Sequence, residues 1–363
     1  MSNSGGSRLY GIVTAIQANY YWVKLEGVNQ PPCLCTRRSR LKKIGQRVLV
    51  GDRVGLEVLH SPLTEAPAIH AATGEPLTLM AIAEILPRQS ELSRPWVANA
   101  DQILLVFSLV EPAVEPWQLS RFLVKAESTS LKVQICLSKQ DLIAPELLHL
   151  WQERLGQWGY KTWGISSLEP QSLLALRNQL KNQITILAGP SGVGKSSLIN
   201  TLIPGSQQRV NQVSGKLQKG RHTTRHVELF ELPDGGLLAD TPGFNQPELQ
   251  AEPADIIHYF PEVRTYLERG ECYFKDCLHR GEPHCAILPH WERYEHYLKF
   301  LSEALDRQSQ QHQPRGTESQ LKLKMGTAGQ AQYEPKLETK KYRRTSRRQA
   351  HQTLMGRDSE GEV

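Results

Sequence analysis

The sequence predicts a multidomain fold: an N-terminal OB-like β-barrel, a central α/β domain, a small α-helical Cys/His domain and a basic tail. Three observations predict it. Short strands with glycine at their corners come first, apolar strands alternate with amphipathic helices from about residue 92, and the chain becomes polar and Cys/His-bearing from about residue 250. We place the domains at 1–88, 89–249 and 250–305, and the tail at 306–363.

Composition excludes several classes of protein. The chain has 363 residues, 39% hydrophobic and 22% charged, which is enough apolar surface for folded cores and excludes a wholly disordered protein. No apolar run approaches the roughly 18 residues of a membrane-spanning helix. Three of the six cysteines fall between 272 and 285, which is unlike a disulfide scaffold. We expect a soluble monomer of the cytoplasm, without a secretory signal and without a membrane partner.

The barrel is predicted from short strands at 9–15, 20–25, 33–36 and 53–58. Their spacing suits a five-stranded OB-like barrel, a shape that often binds oligonucleotides, although a non-binding SH3-like barrel fits the same pattern. Six of the ten Lys and Arg residues of 1–88 lie between Arg37 and Arg47. On a loop between strands, these cations could face RNA phosphates.

Positive charge is concentrated at both ends of the chain. Residues 1–88 carry a net charge of +4 and residues 306–363 a net charge of +5, within a total of +6, so the middle is slightly acidic. Basic ends around such a middle suggest a polyanionic partner such as nucleic acid, and solvated surface charge is the alternative.

The central domain alternates strands and helices, which predicts a mostly parallel sheet covered on both faces. Apolar runs predict strands at 102–107, 132–137 and 184–188, and apolar residues at every third or fourth position predict helices at 116–128, 145–156 and 170–182.

The strongest motif follows the strand at 184–188. Residues 189–196 match the pattern G-x-x-x-x-G-K-[ST] and begin a helix, as a phosphate-binding P-loop requires. Backbone N–H groups of such a loop surround the β-phosphate, Lys195 would reach the β- and γ-phosphates, and Ser196 would coordinate Mg²⁺. The nucleotide-binding residues expected here are Gly189, Pro190, Ser191, Gly192, Val193, Gly194, Lys195, Ser196 and Ser197.

Two further segments are predicted to complete the phosphate site. An apolar strand ends at Asp240, which suits a carboxylate that holds Mg²⁺ through water, and the N–H group of Gly243 can contact a γ-phosphate. Between the P-loop and this strand lies the polar segment 220–225. Thr223 or Thr224 could complete the Mg²⁺ shell as a switch, unless the segment is only a surface loop.

Base recognition is predicted upstream of the P-loop. Ser138, Lys139, Gln140 and Asp141 end the strand at 132–137 and nearly match the N-K-x-D motif, whose Asp accepts two hydrogen bonds from guanine. Ser166 and Ser167 could form the loop that backs the base. The motifs thus occur in a rotated order, and since each lies at the carboxyl end of a strand, the rotated chain would still build one site.

With this order the chain resembles the circularly permuted GTPases, in particular the ribosome small-subunit-dependent GTPase family (RsgA). The resemblance covers about residues 8–305 and includes 94–102, the P-loop, 220–224, 240–244 and the cysteine cluster at 272–285. It implies an OB domain, a permuted P-loop GTPase domain and a zinc domain. The implied activity is hydrolysis of GTP to GDP and phosphate, stimulated by the small (30S) ribosomal subunit during its late maturation. The implied partners are that subunit, its rRNA, GTP and GDP.

One departure from the family pattern is Ser138, where Asn is usual. We expect the shorter side chain to lose reach to the guanine and to the P-loop, and so to weaken nucleotide binding. Asp141 is intact, so guanine preference is still expected.

Cysteines and histidines cluster in the pattern Cys272-x₄-Cys277-x-His279-x₅-Cys285. Three thiolates and an imidazole suit a closed, structural zinc site, and His284 is a competing ligand. Three buried free cysteines are the alternative, although they fit poorly in so polar a stretch. The four positions Cys272, Cys277, His279 and Cys285 match the metal ligands of the family.

The residue after Gly243 is Phe244, at a position where many GTPases carry a water-orienting Gln. A phenyl ring cannot position water by hydrogen bonding, so intrinsic turnover should be slow. His222 is the candidate that supplies the polar group, together with Lys195 on the phosphates, although it could be only a solvent-facing loop residue. A P-loop kinase of small molecules and a non-catalytic, nucleotide-sensing RNA-binding protein are the alternative functions.

The tail contains six Lys and Arg residues between 340 and 348 and no acid among them. Few apolar residues precede them, so we expect little fixed structure in 306–363. Such a segment could act as a tethered cation for rRNA phosphates, or it could be a dispensable solubilising extension.

Overall fold

The computed structural model describes residues 9–28, 30–58, 79–93, 95–203, 227–240 and 249–312, and two strands within 321–335. The density of internal contacts divides the chain into two compact units, residues 1–304 and 305–363. The finer domain boundaries near residues 88 and 249 stay predictions.

The first part of the chain forms a closed five-stranded barrel. Its strands pair in the order β1-β2-β3-β5-β4, and β4 pairs back onto β1. The pair β3–β5 is parallel and the other pairs are antiparallel. This confirms the OB-like barrel, and β5 is a strand that the sequence pattern did not locate. The elements are β1 (Leu9–Gln17), β2 (Tyr20–Leu25), β3 (Cys33–Arg37), α1 (Ser39–Lys43), β4 (Arg53–Val58) and β5 (Leu79–Ile85).

A short hairpin of β6 (Glu91–Ser93) and β7 (Trp96–Ala98) leads into the α/β domain. Its sheet has the order β10-β9-β8-β11-β13-β12, and all neighbours are parallel except β12 and β13. The predicted strands at 102–107, 132–137 and 184–188 are present. The elements are β8 (Gln102–Ser108), α2 (Pro116–Glu127), β9 (Lys132–Ser138), α3 (Pro145–Gln157), β10 (Lys161–Gly164), α4 (Leu174–Leu180), β11 (Ile184–Ala188), α5 (Lys195–Leu202), β12 (Glu228–Glu231) and β13 (Leu237–Asp240).

Both faces of this sheet are covered, because β8 is buried along its whole length. Ile103, Leu105 and Phe107 face one core, which α2 and α3 complete. Leu104 and Val106 face the other core, to which α4 and α5 contribute. Alternate side chains of one strand therefore pack into two cores, as expected of a doubly covered parallel sheet.

The barrel and the α/β domain share one sheet of 11 strands. Ala15 of β1 pairs with Glu228 of β12, and the ammonium of Lys24 on β2 forms an ion pair with Glu231. Nothing in the sequence pattern predicts this junction, because it joins strands that lie far apart in the chain.

The Cys/His region packs on the α/β domain. A 3₁₀ segment (Pro253–Tyr259) and α6 (Pro261–Arg269) precede it, and α7 (Tyr294–His312) follows. The buried guanidinium of Arg293 pairs with Glu262 and lies 4.6 Å from the ring centroid of Trp158, at the end of α3. Phe300 of α7 stacks on Trp117 of α2, with ring centroids 4.6 Å apart.

The structure differs from the expectation of little fixed structure after residue 306 in two places. Helix α7 continues to His312, and β14 (Leu321–Met325) pairs with β15 (Ala331–Pro335) as an antiparallel hairpin in which Leu323 lies opposite Tyr333. The basic segment 340–348 lies outside the described residues.

Candidate active site and metal centre

The predicted nucleotide motifs meet at the carboxyl edge of the parallel sheet. Leu187, just before the P-loop, is in register with Asp240 on the neighbouring strand β13. Ser108 is in register with Ser138 on β9, and β8 and β11 are neighbours. Four adjacent strands thus end at one place, which is where ligands bind in open α/β sheets.

The P-loop turn depends on glycine. Gly189, Gly192 and Gly194 all have positive φ angles, of 144°, 84° and 95°. A Cβ atom at Gly189 would lie 2.1 Å from the carbonyl oxygen of Val106, so no larger residue fits against the strand there. Val193 is buried in the core and anchors the loop, whereas Ser191, Ser196 and Ser197 are exposed. Pro190 is half-buried.

Lys195 begins α5 and turns its ammonium into the loop. Nζ donates to the carbonyl oxygens of Gly189, at 2.8 Å, and Pro190, at 2.5 Å. Partial burial lowers the pKa of Lys195, and the carboxylate of Asp240 opposes that shift. A half-buried cation at a helix N-terminus beside a carboxylate is the arrangement that binds phosphate and a divalent cation.

The Ser138 hydroxyl joins the base-recognition strand to the P-loop. It is buried and lies within hydrogen-bond distance of the carbonyl oxygens of Val193 and, at 3.1 Å, Phe107. One hydroxyl proton can serve only one of these acceptors at a time. The expected loss of reach to the P-loop is therefore wrong, because the loop backbone itself comes to the short side chain.

The two predicted base loops are also brought together. The backbone N–H group of Gln140 donates to the carbonyl of Ile165 at 3.1 Å, and Ser166 is fully buried directly after it. The backbone of Lys139 is left-handed, with a φ of 59°, and its side-chain ammonium donates to the carbonyl of Glu111. Asp141 is exposed in a single 3₁₀ turn, at the same edge of the sheet.

Ser166 organises the loop rather than pointing to solvent. Its N–H group donates to the hydroxyl of Ser172 at 2.9 Å, and its own hydroxyl accepts from the N–H group of Leu168 at 3.1 Å. Ser167, between Ser166 and Leu168, is half-buried. The sequence did not indicate Ser172, whose hydroxyl ties this loop to the 3₁₀ turn before α4.

Cys272, Cys277, His279 and Cys285 form one cluster, with all four ligand atoms within 4.8 Å of one another. His279 Nδ1 lies 3.6, 3.8 and 3.3 Å from the sulfur atoms of Cys272, Cys277 and Cys285. Tetrahedral zinc, with Zn–S of about 2.3 Å and Zn–N of about 2.0–2.1 Å, has S···N edges of about 3.6 Å. The four side chains therefore fit a zinc ion. The ring of His284 instead packs near Tyr273.

The backbone around the cluster supports thiolates. The N–H group of Ala286 points to the sulfur of Cys272 at 3.3 Å, and that of Ile287 points to the sulfur of Cys285 at 3.4 Å. Burial is the main factor that raises the pKa of the Cys277 thiol to about 12, so a bound cation would be needed to hold it as a thiolate. Burial also lowers the pKa of His279, which favours the neutral, ligating imidazole.

Glu282 is a residue of this centre that the sequence did not indicate. Its carboxylate accepts from the backbone N–H groups of Leu278, at 3.3 Å, and Arg280, at 2.5 Å. These bonds close the turn in which His279 has a left-handed φ of 52°. An acid between Gly281 and Pro283 was the available signal.

Comparison with known proteins identifies the family. The RsgA GTPase family model matches residues 85–250. A small ribosomal subunit biogenesis GTPase RsgA from Synechocystis sp. is 57% identical over 349 residues, covering 95% of this chain and 94% of its own. The protein of that name from Trichormus variabilis is 53% identical and covers 96% of each chain. This chain belongs to the RsgA GTPase family.

Solved structures agree with that assignment. YloQ, described as a circularly permuted GTPase, superposes with a TM-score of 0.66 at 30% identity, covering 85% of this chain and 98% of its own. YjeQ from Thermotoga maritima gives a TM-score of 0.65 at 30% identity, covering 82% and 99%. The family is one of GTPases, which favours GTP hydrolysis over the kinase and the non-catalytic sensor.

Part of the predicted RsgA site lies outside the described residues. This holds for the switch segment, with His222, Thr223 and Thr224, and for Gly243 and Phe244 after Asp240. Their roles stay predictions.

Among the described helices, none combines the length and the apolar character of a membrane-spanning segment.

Proposed function

We propose that this protein binds the small (30S) ribosomal subunit through its rRNA and assists late maturation of that subunit, hydrolysing GTP to GDP and phosphate with stimulation by the subunit. The curated relatives carry the name small ribosomal subunit biogenesis GTPase. The observation that carries the enzymatic part is the meeting of the P-loop, Asp240 and residues 138–141 at one edge of the sheet.

The phosphates would lie over the N-terminus of α5. Lys195, which now donates to loop carbonyls, would turn its ammonium to the β- and γ-phosphates, and the N–H groups of the loop would surround the β-phosphate. Mg²⁺, when bound with GTP, neutralises charge that develops on the phosphate oxygens. Ser196 and Asp240 are the residues that would hold it, with Thr223 or Thr224 from the switch segment.

Guanine would be read by Asp141, whose carboxylate accepts from the base. The loop of Ser166 and Ser167 would back the base, with the buried Ser166 holding the loop in shape. Ser138 would not contact the base and would position the P-loop instead, since its hydroxyl donates to the backbone of that loop. Lys139 would shape the same loop through its bond to the carbonyl of Glu111.

The attacking water needs a polar group to orient it. Phe244 cannot supply one, and His222 of the switch segment is the residue we propose for that role, with Gly243 donating to the γ-phosphate. Lys195 would stabilise the charge that develops in the transition state.

The Cys₃His cluster would hold one structural zinc per chain. Four protein ligands leave no open coordination position, so the metal supports the fold of residues 270–293 rather than catalysis. We further propose that the protein acts as a monomer in the cytoplasm.

The deciding experiment is a GTPase assay with and without purified 30S subunits. We expect slow intrinsic release of phosphate, strong stimulation by the subunits, and no stimulation by 50S subunits as the control. Transfer of labelled γ-phosphate to an acceptor other than water would favour a kinase. No loss of GTP in single turnover with 30S subunits present would favour a sensor.

A further inference from the structure

Trp96 is an exposed ring on a strand whose other members are buried. It begins β7, and Val97 and Ala98 after it are completely inaccessible to solvent. The Trp96 side chain keeps 44% of its surface exposed. The strand is therefore fixed by its core side, and its first residue presents a large flat ring to solvent.

A guanidinium covers part of this ring. The Cζ atom of Arg47 lies 4.8 Å from the centroid of the Trp96 ring, within the range of a cation–π contact. Arg47 ends the basic run 37–47. The guanidinium and the indole are thus layered on each other at the surface where the barrel meets the β6–β7 hairpin.

One buried ion pair holds the platform together. Arg88 donates through Nε and Nη2 to the fully buried Asp52, at 2.7 and 2.8 Å, and through Nη2 to the backbone oxygen of Arg47 at 2.7 Å. Its Nη1 bonds Glu91 on β6 at 2.6 Å. The backbone of Arg47 is thereby tied to the strand that pairs with β7.

The charge around the platform is positive. Residues 37–47 contain six cations and no acid. Among the described residues of the barrel, only Arg38 of this run forms an ion pair, with the carboxylate of Glu57. The side chain of Arg37 donates to the carbonyl of Gln46 at 2.7 Å, which folds the segment after α1 back beside Arg47. The exposed cations of this run are Arg38, Arg40, Lys42, Lys43 and Arg47.

We propose that Trp96 and Arg47 form a stacking platform for an unpaired RNA base, while the cations of α1 bind the flanking phosphates. The inference rests on the proposed function and adds to it the form of RNA that is recognised. An aromatic ring beside a basic groove is how single-stranded nucleic acid is held without sequence preference. A protein partner is disfavoured, because an acid-free run of cations fits a polyanion better.

Two variants separate stacking from charge. Trp96→Ala should weaken binding to 30S subunits and to a single-stranded RNA of about 10 nucleotides by about tenfold, with an unchanged slope of log affinity against log salt. The double variant Lys42→Ala/Lys43→Ala should instead make that slope shallower by about 1.4. Leu150→Ala, which removes an apolar side chain 60% exposed on α3, is the matched control and should change neither.

Fluorescence supplies a readout that a structural role would not move. RNA that stacks on Trp96 should quench the emission of the wild-type chain, and Trp96→Phe should lose most of that quenching while keeping the thermal midpoint and most of the affinity. This conservative variant also covers the case in which Trp96→Ala fails to fold.

Full quenching in Trp96→Phe, or unchanged affinity in both Trp96 variants while the wild type binds, would overturn the platform and leave the proposed function standing. A loss of 30S binding without a loss of oligonucleotide binding would indicate a ribosomal protein as partner and would also overturn it. A wild-type chain that binds neither 30S subunits nor RNA would contradict the proposed function as well.

Discussion

Two candidate ligand sites of the molecule are built in opposite ways. One is the nucleotide edge, the edge of the sheet where residues 138–141, the P-loop and Asp240 meet, and the other is the Cys/His centre. At the nucleotide edge, the protein satisfies its own groups: Lys195 bonds loop carbonyls, and Ser138 bonds Val193. At the Cys/His centre, three sulfur atoms and an imidazole nitrogen lie within 4.8 Å of one another, and two of the sulfur atoms accept from backbone N–H groups. The first site is shaped by backbone contacts of the protein itself, and we expect the second to depend on a bound metal for its stability.

The difference follows from what surrounds each site. The P-loop extends from β11, whose residues are part of two hydrophobic cores, so its position is fixed by the sheet. Residues 270–293 contain no helix or strand and depend on turns such as the one closed by Glu282. Removal of one ligand-binding side chain should therefore abolish activity at the nucleotide edge and should unfold the Cys/His centre.

The largest effect is expected at the nucleotide edge from Lys195→Ala. Removal of the cation that faces the β- and γ-phosphates should lower 30S-stimulated GTP hydrolysis by about 10²–10³-fold and weaken GTP binding. The thermal midpoint should stay near that of the wild type, since the sheet positions the loop. Lys181→Ala, at the exposed end of α4, is the control. Wild-type turnover in Lys195→Ala would contradict the P-loop assignment.

Cys277→Ser should have the opposite effect, a loss of structure at the Cys/His centre. Metal analysis should find about one zinc per wild-type chain and little in the variant, because one ligand of four is lost. Amide exchange in residues 270–293 should rise to that of an unfolded segment, while β8 and β11 stay protected. Cys136→Ala, which removes a thiol buried in a hydrophobic core and remote from the cluster, should keep the zinc.

A fully protected 270–293 segment in the zinc-free variant would erase the contrast between the sites. A loss of protection throughout the α/β domain would also contradict it, because the centre would then support more than its own loops. Chelation of the wild-type protein should reproduce the behaviour of Cys277→Ser.

The sequence predicted those parts of the molecule that depend on local signals and missed those that depend on tertiary contacts. The apolar runs of β8, β9 and β11 and the glycine spacing of the P-loop are local signals. The strands they predict are present, and the glycines of the loop have the positive φ angles such a turn requires. Strand β12 has only four residues, Glu-Leu-Phe-Glu, with too little apolar pattern to be recognised. Its pairing with Ala15 of the barrel is tertiary and leaves no local trace.

Side-chain reach was likewise beyond the sequence. A serine at position 138 is visibly shorter than asparagine, but the approach of the Val193 carbonyl depends on the path of the P-loop. In the same way, Glu282 and Ser172 act by closing turns, and their partners are backbone groups that no motif names.

A moderate effect is expected from Asp141→Asn. The amide would offer a donor where guanine needs an acceptor, so GTP affinity should fall by about tenfold or more, and affinity for xanthosine nucleotides should rise. Titration with fluorescent GTP and XTP analogues measures both. Asp234→Asn, in the turn between β12 and β13, is the control. Unchanged affinity for both nucleotides would show that residues 138–141 do not read the base.

The smallest effect, and the sharpest test of a site prepared by its own backbone, is expected from Ser138→Ala. It removes the hydroxyl whose single proton can serve the carbonyl of Val193 or that of Phe107, and so takes this donor away from the P-loop backbone. A hydrogen bond of this kind contributes about 0.5–1.5 kcal/mol, so GTP affinity should fall by about two- to tenfold as the P-loop loosens. Ser128→Ala removes a comparable bond, to the carbonyl of Lys125 at the end of α2, and should cost stability without a change in affinity. Equal GTP affinities for Ser138→Ala and the wild type would mean that the P-loop is held by Val193 packing alone, and the hydroxyl would then have no part in preparing the site.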